Sequence, residues 1–469
     1  MNRRLQSGTD GSVLVGLLWC LALLSLVVIG VLHTSRLDLT VVKNHGDRIQ
    51  AHYLALAGIE KAKALLYQDA RERSRSGQNH TGSLYDAPEQ FRHVSLGRGE
   101  FSVLHRGGAD QGGEVLFGVS DEERRLNVNY TSAEELTRLE GMTPDIAAAI
   151  MDWRDEDNVV TPGGAEAEYY LSLQPPYVPR NGPLQTIREL LMVRGVTPEL
   201  LFGADRHQNG LLEPAGEQGE ANRFDASDTG WAGLMTVDSS VANVDGAGQD
   251  RVNVQTADER TLTGVRGITA DIARSIVAYR NQNRFNSIAD LLDVTAAQNQ
   301  NQPGATATTT EAGGQQEQPV AQQGQQSPNQ PVSNPSGPKV ISVDLLTDIA
   351  DQLTTQAGSG NVSGLVNINT ASEEVLQCLP GMTRELAQAV ISFRHSNGYY
   401  ANIAWLLKVP GLGQDIFKQV APRVCVRSET FRILCEGRVP SSGARQRIQE
   451  IVHVGLSEVD TLSYREDDL

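Results

Sequence analysis

The amino-acid sequence predicts an α+β protein with a long N-terminal helix, a few short strands and a large α-helical region inserted between them. Three observations predict this. A charge-free apolar stretch continues into an amphipathic helical pattern, one strand–helix–turn–helix segment occurs three times, and alternating stretches lie on both sides of these copies. A length of 469 residues also indicates about two to four folded units.

Composition excludes several classes of protein. The formal net charge of −17, from 40 Lys and Arg against 57 Asp and Glu, gives no global field that attracts nucleic acid. The 4 cysteines form no C-x-x-C, which argues against a disulfide framework or a structural zinc site. The sequence also has no H-E-x-x-H, P-loop or G-x-S-x-G motif. We therefore expect a protein that is not an enzyme.

The N-terminal segment has the properties of a membrane anchor. Val13 to Leu32 carries no charge and is long enough to cross ~30 Å of hydrocarbon as one helix. Arg3 and Arg4 precede it, so the N-terminus is expected in the cytoplasm and the bulk of the chain outside. A cleaved signal peptide is the alternative, but the apolar run is longer than usual and no small-x-small site closes it. We predict a membrane span over residues 12–33 and an amphipathic stalk helix over 34–73.

The repeated segment occupies Leu126–Ile150, Val252–Ile276 and Val366–Ile391. Each copy has a short alternating stretch, a helix with a Ser or Thr cap, a glycine turn and a second helix capped by threonine. This pattern resembles the helix-hairpin-helix unit, a SAM-like fold. The first-helix caps are expected at Thr131 or Ser132, Thr256, and Thr370 or Ser372. The turns are expected at Gly141, Gly267 and Gly381, with a further turn at Gly411 and Gly413 in the third copy.

Helix-hairpin-helix units often bind DNA by aiming backbone N–H groups of a G-h-G turn at a phosphate. The phosphate can approach only if the second position of the turn is also small. The first turn of every copy has threonine there, and only Gly411-Leu412-Gly413 fits. This turn lies near four basic residues: Lys408, Lys418, Arg423 and Arg427. We therefore expect hairpins that serve packing, with DNA binding as the alternative.

Two acidic segments are candidate calcium sites because Ca²⁺ prefers six to eight oxygen ligands. The first segment contains Asp152, Asp155, Glu156, Asp157, Glu166 and Glu168. A solvated acidic surface paired with Arg154 or Arg180 is the alternative for it. The second segment resembles the start of an EF-hand loop and supplies Asp205, Asn209, Gly210 and Glu213. It departs from that pattern at His207 and Gly216, so an ordinary polar turn is the alternative there.

Two regions resemble a known family. A short basic leader that ends at Gly11, directly before an apolar helix, resembles the precursors of type IV pilins and type II secretion pseudopilins. The resemblance implies cleavage by a prepilin peptidase between Gly11 and Ser12, with methylation of Ser12. The fifth mature residue is Gly16 instead of the usual glutamate, which agrees with minor pseudopilin K. Asp152–Gly203 closely resembles that family through D-W-R-D-x-D, G-A-E-x-x-Y-Y, P-P-Y-x-P-R-N-G-P and V-x-G-x-T-P-E-L, in this order.

The resemblance implies a structural subunit at the tip of a type II secretion pseudopilus, anchored once in the bacterial inner membrane with its bulk in the periplasm. It implies a small antiparallel sheet packed on the emergent helix, and calcium as a bound ion. The implied partners are other minor pseudopilins in a tip complex, an inner-membrane assembly platform, the prepilin peptidase and secreted substrates. Nucleic acid is not an expected partner. A membrane-anchored DNA receptor of a competence or type IV pilus system is the alternative function.

The remaining predictions concern boundaries and cysteines. Residues 296–340 consist mainly of Gln, Asn, Pro, Gly and Thr and are expected to form a disordered linker because they have little apolar surface to bury. Cys425 and Cys435 lie in predicted terminal strands, and a disulfide between them is left open because sequence does not show whether they face each other. The predicted segments are a leader at 1–11, a first β part at 97–120, helical units at 121–228, 229–295 and 341–421, and a final β part at 422–458.

Overall fold

A computed structural model describes residues 10–79, 82–107, 114–205, 207–211, 229–296, 337–358 and 360–466. Most of the predicted leader, Glu213 and nearly all of the predicted linker lie outside these residues. The α+β class expected from the sequence is confirmed: a long helix and an antiparallel sheet carry a helical region that is inserted between the sheet's strands.

The helices and strands have the following bounds. The α-helices are α1 (Asp10–Ser76), α2 (Pro88–Phe91), α3 (Ala133–Leu136), α4 (Pro144–Arg154), α5 (Ala167–Leu171), α6 (Pro198–Phe202), α7 (Trp231–Leu234), α8 (Glu259–Thr263), α9 (Ala270–Arg280), α10 (Val343–Ile349), α11 (Glu373–Cys378), α12 (Arg384–Asn397) and α13 (Gln414–Val420). The 3-10 helices are Ile187–Met192, Ile288–Asp293, Ala350–Gln352, Ile403–Lys408 and Ala421–Arg423. The strands are β1 (Val94–Leu96), β2 (Gly99–Val103), β3 (His105–Arg106), β4 (Val115–Leu116), β5 (Ser120–Asp121), β6 (Leu126–Asn127), β7 (Met235–Thr236), β8 (Ser240–Ala242), β9 (Val252–Asn253), β10 (Leu353–Thr354), β11 (Asn361–Ser363), β12 (Val366–Asn367), β13 (Val424–Cys425), β14 (Thr430–Val439), β15 (Ala444–Val454) and β16 (Val459–Arg465).

The C-terminal half of α1 packs on a six-stranded sheet with the order β1-β2-β14-β15-β16, in which β5 also pairs with β14. The helix and sheet approach closely because two glycines lie at their contact. A Cβ at Gly58 would lie 2.3 Å from the Cys435 Sγ, and one at Gly437 would lie 2.0 Å from the Ala51 carbonyl oxygen. The apolar residues on one face of this half, including Ile59 and Leu66, are buried against the sheet.

The helical region consists of three similar units, each closed by a parallel pair of two-residue strands. In the first unit (126–236) β6 pairs with β7, in the second (252–354) β9 pairs with β10, and in the third (366–425) β12 pairs with β13. Each unit contains two helical hairpins between its strands. Their apolar side chains form one continuous core that is separate from the core under α1.

The structure corrects the predicted boundary between the second and third units. Helix α10 and β10 close the second unit, although the sequence prediction assigned residues 341–354 to the third. The residues of the predicted linker therefore interrupt the second hairpin of the second unit. Their two ends meet, since the Val340 N–H donates to the Val294 carbonyl at 3.0 Å and the Ala296 N–H donates to the Pro338 carbonyl at 3.0 Å.

Three smaller predictions about the elements are also corrected. The predicted terminal strand that contains Cys425 is only Val424–Cys425 and closes the third unit instead of joining the large sheet. Strand β16, beyond the predicted end of the β part at 458, forms an edge of that sheet. The first helix of the second unit is capped by Asp258, not Thr256, because the Asp258 carboxylate accepts the Thr261 N–H at 2.7 Å.

Candidate functional site: an acidic cluster on a helix-hairpin-helix frame

One arginine holds each helical unit together in the same way. The guanidinium groups of Arg280 and Arg394 donate to two backbone carbonyls near the opening strands of the second and third units, at 2.5–3.2 Å. Arg154 donates to the corresponding Val128 and Thr131 carbonyls of the first unit. Backbone carbonyls buried without a donor are costly, so these arginines complete the fold of each unit. The end of α4, where Arg154 lies, is thereby fixed.

The predicted acidic residues of the first unit come together directly after this arginine. Asp152 lies in the last turn of α4, Asp155 follows its end, and Glu166 precedes α5. Carboxylate oxygens of these three residues all lie within 4.8 Å of one another. Asp157 and Glu168 are exposed outside this group, which we name the acidic cluster (Asp152, Asp155 and Glu166).

The acidic cluster has the chemistry of a cation site. Asp152 is 0% exposed and Glu166 is 2% exposed. Both carboxylate oxygens of Glu166, and Oδ1 of Asp155, are buried without a hydrogen-bond donor among the described residues. Buried carboxylate oxygens without a donor or a cation are strongly disfavoured. The residues of the cluster therefore fit a hard divalent cation such as Ca²⁺.

Electrostatics of the cluster agree with this interpretation. Burial, followed by the nearby charges of Asp155 and Asp152, raises the pKa of Glu166 from 4.5 to about 6. Burial and the charges of Asp157 and Asp152 also raise the pKa of Asp155. Gly164 permits the close approach, because a Cβ there would lie 2.0 Å from the Asp152 Oδ2. The Asp152 carboxylate is further held by the Thr161 N–H at 3.2 Å.

The second predicted calcium loop is a tight turn whose oxygens already have partners. Asp205 Oδ2 accepts the Gly210 N–H at 2.7 Å, and Asp205 Oδ1 accepts the Asn209 N–H at 3.3 Å. Asn209 Oδ1 accepts the Leu211 N–H at 2.8 Å. Burial raises the pKa of Asp205. The described part of this loop thus leaves fewer carboxylate oxygens for a cation than the acidic cluster does, and Glu213 lies outside it.

The predicted hairpin turns share one geometry. Gly141, Gly267, Gly381 and Gly411 have φ of +76°, +100°, +70° and +86°, which favours glycine over residues with a side chain. The residue after each glycine is a buried apolar side chain: Met142, Ile268, Met382 and Leu412. Gly413 begins α13 with an ordinary φ of −77°. The structure also has a turn of this kind at Gly195, with φ of +85°, which the sequence interpretation did not identify as a hairpin.

The basic residues near the Gly411 turn are engaged within the protein. Lys418 Nζ pairs with Asp293 at 2.7 Å, and Arg423 pairs with Glu135 at 3.0 Å. The Lys408 ammonium lies 3.7 Å from the centre of the Trp405 ring, and Arg427 is buried beside Glu429. These contacts leave little free positive charge at the turn for a phosphate backbone.

A buried acidic triplet, not identified as a site from the sequence, joins the sheet to the helical units. Glu122 pairs with Arg125 and Arg432 at 2.5 and 2.8 Å, and these arginines hold its pKa below the ordinary value although burial acts in the opposite direction. Asp121 accepts from Thr370 at 2.7 Å, and Glu123 accepts the Thr430 N–H at 3.2 Å. The sequence signal for this site was the run of three consecutive acids at 121–123. Such a run is normally expected in solvent, so its position at the end of a predicted strand was the indication that it could be buried.

The remaining predicted site residues are as follows. Cys425 and Cys435 are free and occupy different surroundings: Cys425 Sγ contacts the Arg427 carbonyl, and Cys435 lies under α1. Gly11 and Ser12 lie at the start of α1. The helical segment Val13–Ser76 is long and apolar enough to cross a membrane, by length and composition, and its apolar part is exposed.

Known proteins resemble two parts of the chain. Residues 123–203 match the profile of the family described as "Type II secretion system (T2SS), protein K". Residues 248–297 and 362–425 match the profile described as "Helix-hairpin-helix motif".

Among curated relatives, Type II secretion system protein K of Klebsiella pneumoniae is 28% identical over 167 residues, which cover 33% of this chain and 48% of the relative. ComE operon protein 1 of Bacillus subtilis is 36% identical over 78 residues, or 15% of this chain and 38% of that protein. The human endonuclease/exonuclease/phosphatase family domain-containing protein 1 is 28% identical over 177 residues, or 38% and 28%. The chain thus spans less than half the length of each of these relatives.

Among solved structures, a chain in "The Crystal Structure of the GspK-GspI-GspJ complex from enterotoxigenic Escherichia coli Type 2 Secretion System" aligns with a TM-score of 0.40 and 13% identity. The alignment covers 89% of this chain and 97% of that chain.

The fold defines a class of protein that joins a long apolar N-terminal helix and a small antiparallel sheet to helix-hairpin-helix units. The match to type II secretion protein K covers residues 123–203 of the first of these units, including the acidic cluster. This match confirms the resemblance of the first helical unit to type II secretion protein K that the sequence predicted.

Proposed function

We propose that this protein is a minor pseudopilin that caps the tip of a type II secretion pseudopilus and nucleates its assembly. It is a structural subunit and not an enzyme. Its helix anchors it in the bacterial inner membrane with the N-terminus in the cytoplasm, and the sheet and helical units lie in the periplasm. Its partners are other minor pseudopilins and the inner-membrane assembly platform, and secreted substrates contact the helical units.

One observation supports this proposal: the two ends of α1 differ, since one end is a bare helix and the other carries the whole folded region. Val13 to Leu32 is a bare apolar helix with no packed neighbour within the described chain. The other end of α1 carries the sheet, and all three helical units are inserted between β5 and β14. A bare helix can pack among other helices, whereas a head of this size leaves no room for another subunit above it.

Gold labelling of this chain on isolated pseudopili tests the capping role. We expect label at one end of each fibre. Label distributed along the flanks would contradict the proposal. Processing is tested separately by the N-terminal sequence of the mature protein, which we expect to start at a methylated Ser12 after cleavage by the prepilin peptidase.

We further propose that the acidic cluster binds Ca²⁺. Asp152, Asp155 and Glu166 would hold the ion, which would supply positive charge to carboxylates that otherwise repel one another. The full chain in detergent should gain thermal stability when CaCl₂ is added and lose it with a chelator. A melting temperature that is the same in both conditions would exclude the site.

A DNA receptor is the second candidate function, favoured by the similarity of part of the chain to ComE operon protein 1. The pairing of Lys418 and Arg423 with acidic side chains argues against it. Filter binding of the full chain to duplex DNA discriminates the two functions. A salt-sensitive complex would favour the receptor, and no retention at low salt would exclude it.

A further inference from the structure

The second helical unit is itself an insertion in the helical region. Strand β8, before the unit, pairs antiparallel with β11, after it, and Ala242 lies opposite Asn361. The chain between these two positions therefore begins and ends at neighbouring points of the fold. We name residues 243–360 the inserted module; it contains the closed strand pair β9–β10 and its own helical hairpin α8–α9.

The inserted module contacts the C-terminal end of α1. The Ser74 hydroxyl donates to the Ala247 carbonyl at 3.0 Å. The Asn79 side-chain amide, just beyond the helix, donates to Asp351 Oδ1 at 2.8 Å. A Cβ at Gly246 would lie 2.6 Å from the Gly77 carbonyl oxygen, so only glycine fits between the module and the helix end.

Asp351 connects this contact to the body of the module. Its Oδ2 accepts the Gly246 N–H at 2.8 Å, and its Oδ1 accepts from Arg251 at 3.0 Å as well as from Asn79. The module in turn packs on the third unit, where Lys418 pairs with Asp293 and Asn402 donates to the Thr347 carbonyl at 2.8 Å. One carboxylate thus connects the helix end to a module that is also fixed to the third unit.

We infer that the inserted module is a brace that fixes the angle between the long helix and the helical head. Outside the module, the end of α1 contacts the third unit through the hydrogen bond from the Asn79 side chain to the Ala401 carbonyl at 3.0 Å. The body of α1 stays packed on the sheet. The brace is a property of the fold and holds whether or not the protein caps a pseudopilus.

Spin-label distance measurement on the full chain in detergent tests the brace. Labels are placed at Ala64→Cys on α1 and Ser396→Cys on α12, both exposed, with exposed Cys20 replaced by serine; the other three cysteines are buried. We expect a narrow distance distribution for this parent protein. Asp351→Ala should widen it about twofold, and backbone amides near Ser74 should exchange about tenfold faster, because the helix end loses a hydrogen-bonded anchor.

Asp348→Ala is the matched control, since Asp348 is exposed on α10 and has no hydrogen bond or ion pair among the described residues. It should leave the distribution and the exchange rates unchanged. A distribution in Asp351→Ala as narrow as in the parent would overturn the brace.

If Asp351→Ala does not fold, Asn79→Asp replaces it in the test. This variant sets a second carboxylate against Asp351 and should also widen the distribution. A narrow distribution in a folded Asn79→Asp variant would overturn the inference equally. Exchange of the Leu434 amide in the sheet shows whether each variant has kept its fold, because that strand lies far from the brace in the sequence and packs under α1.

Discussion

The first and third helical units have the same frame and differ in one loop. In both, an aromatic residue precedes the carbonyl-binding arginine and packs on a second aromatic ring: Trp153 on Tyr170 at 5.1 Å, and Phe393 on Tyr400 at 5.2 Å. The chain between arginine and second ring is residues 395–399 in the third unit but 155–169 in the first. The longer loop supplies Asp155 and Glu166 to the acidic cluster. Its third member, Asp152, lies two residues before the arginine, where the third unit has Ser392. The two units therefore share one frame, and the longer loop of the first unit carries the acidic cluster.

Removal of the frame arginine should have the largest effect. Arg394 is 8% exposed, and Arg394→Met would leave the Ile368 and Ala371 carbonyls without their donor. We expect the free energy of unfolding to fall by about 3 kcal/mol in urea denaturation. Arg384→Met, with a side chain that is 71% exposed, should change it by less than about 0.5 kcal/mol. Equal effects of the two variants would contradict the role of the frame.

Substitution in the acidic cluster should raise the melting temperature of the calcium-free protein and reduce the stabilisation that calcium gives. Glu166→Gln removes one of three mutually repelling carboxylates, so the calcium-free protein should melt a few degrees higher. The same variant should lose most of the stabilisation by CaCl₂ because a ligand is gone. Calorimetry with and without chelator measures both. The exposed neighbour Glu168 provides the control, and Glu168→Gln should leave both melting temperatures unchanged.

A change of shape without a change of charge sharpens the same test. Gly164→Ala places a methyl group where the Asp152 Oδ2 now lies, so the carboxylate must move out of the cluster. We expect a weaker response to calcium than in the parent protein, with calcium affinity lower by about tenfold or more. Gly182→Ala in the same unit has more room, since its nearest atom is 3.8 Å away, and serves as the control. An undiminished calcium response in Gly164→Ala would place the ion elsewhere.

The pH dependence follows from the raised pKa of Glu166, about 6 in the folded protein against 4.5 for the ordinary group. The folded state then binds a proton more tightly than the unfolded state. Without calcium, this group's contribution to stability is therefore largest below pH 4.5 and is lost as the pH rises to about 6. With calcium the trend reverses, because protons compete with the ion below about pH 6. Melting curves between pH 4 and 7, in about 0.5-unit steps, distinguish the two trends.

The smallest expected effect concerns the hairpin turn that lacks threonine. The Thr143, Thr269 and Thr383 hydroxyls accept a backbone N–H at the start of the following helix, whereas Gly413 has no side chain to do so. A Cβ at Gly413 meets nothing within 4 Å, so Gly413→Thr should raise the free energy of unfolding by about 0.3 kcal/mol. Gly381→Thr should instead lower it by about 1–2 kcal/mol, because φ is +70° there. A destabilised Gly413→Thr would show that this turn is not equivalent to the others.

Sequence patterns predicted the elements whose signal is local. The apolar run and its helical period predicted α1, and threonine before a helix with glycine two residues earlier predicted the hairpins. The acidic cluster contains fewer residues than the sequence predicted, because sequence does not show which carboxylates turn inward. Asp157 and Glu168, which were in the predicted set, face solvent.

What could not be predicted depends on pairing between distant segments. The closure of the second unit joins Val252 to Leu353 across the predicted linker, and no local pattern marks that partner. Strand β16 was missed because it is mostly exposed and its register shifts opposite Ile451 and Val452, which breaks the alternation expected of a strand. The buried acids at 121–123 were unexpected since their partners, such as Arg432 and Thr370, come from two other parts of the chain.

The meeting of Val294 and Ala296 with Pro338 and Val340 has a practical consequence. The two backbone strands that flank residues 297–336 are hydrogen-bonded to each other there. A reporter domain inserted between them therefore needs termini that lie close together. A fluorescent domain grafted between Ala296 and Gly337 would enter and leave the fold where backbone hydrogen bonds already hold the two ends together. Such a graft would make the location of the protein visible in living cells while its folded parts keep their own contacts.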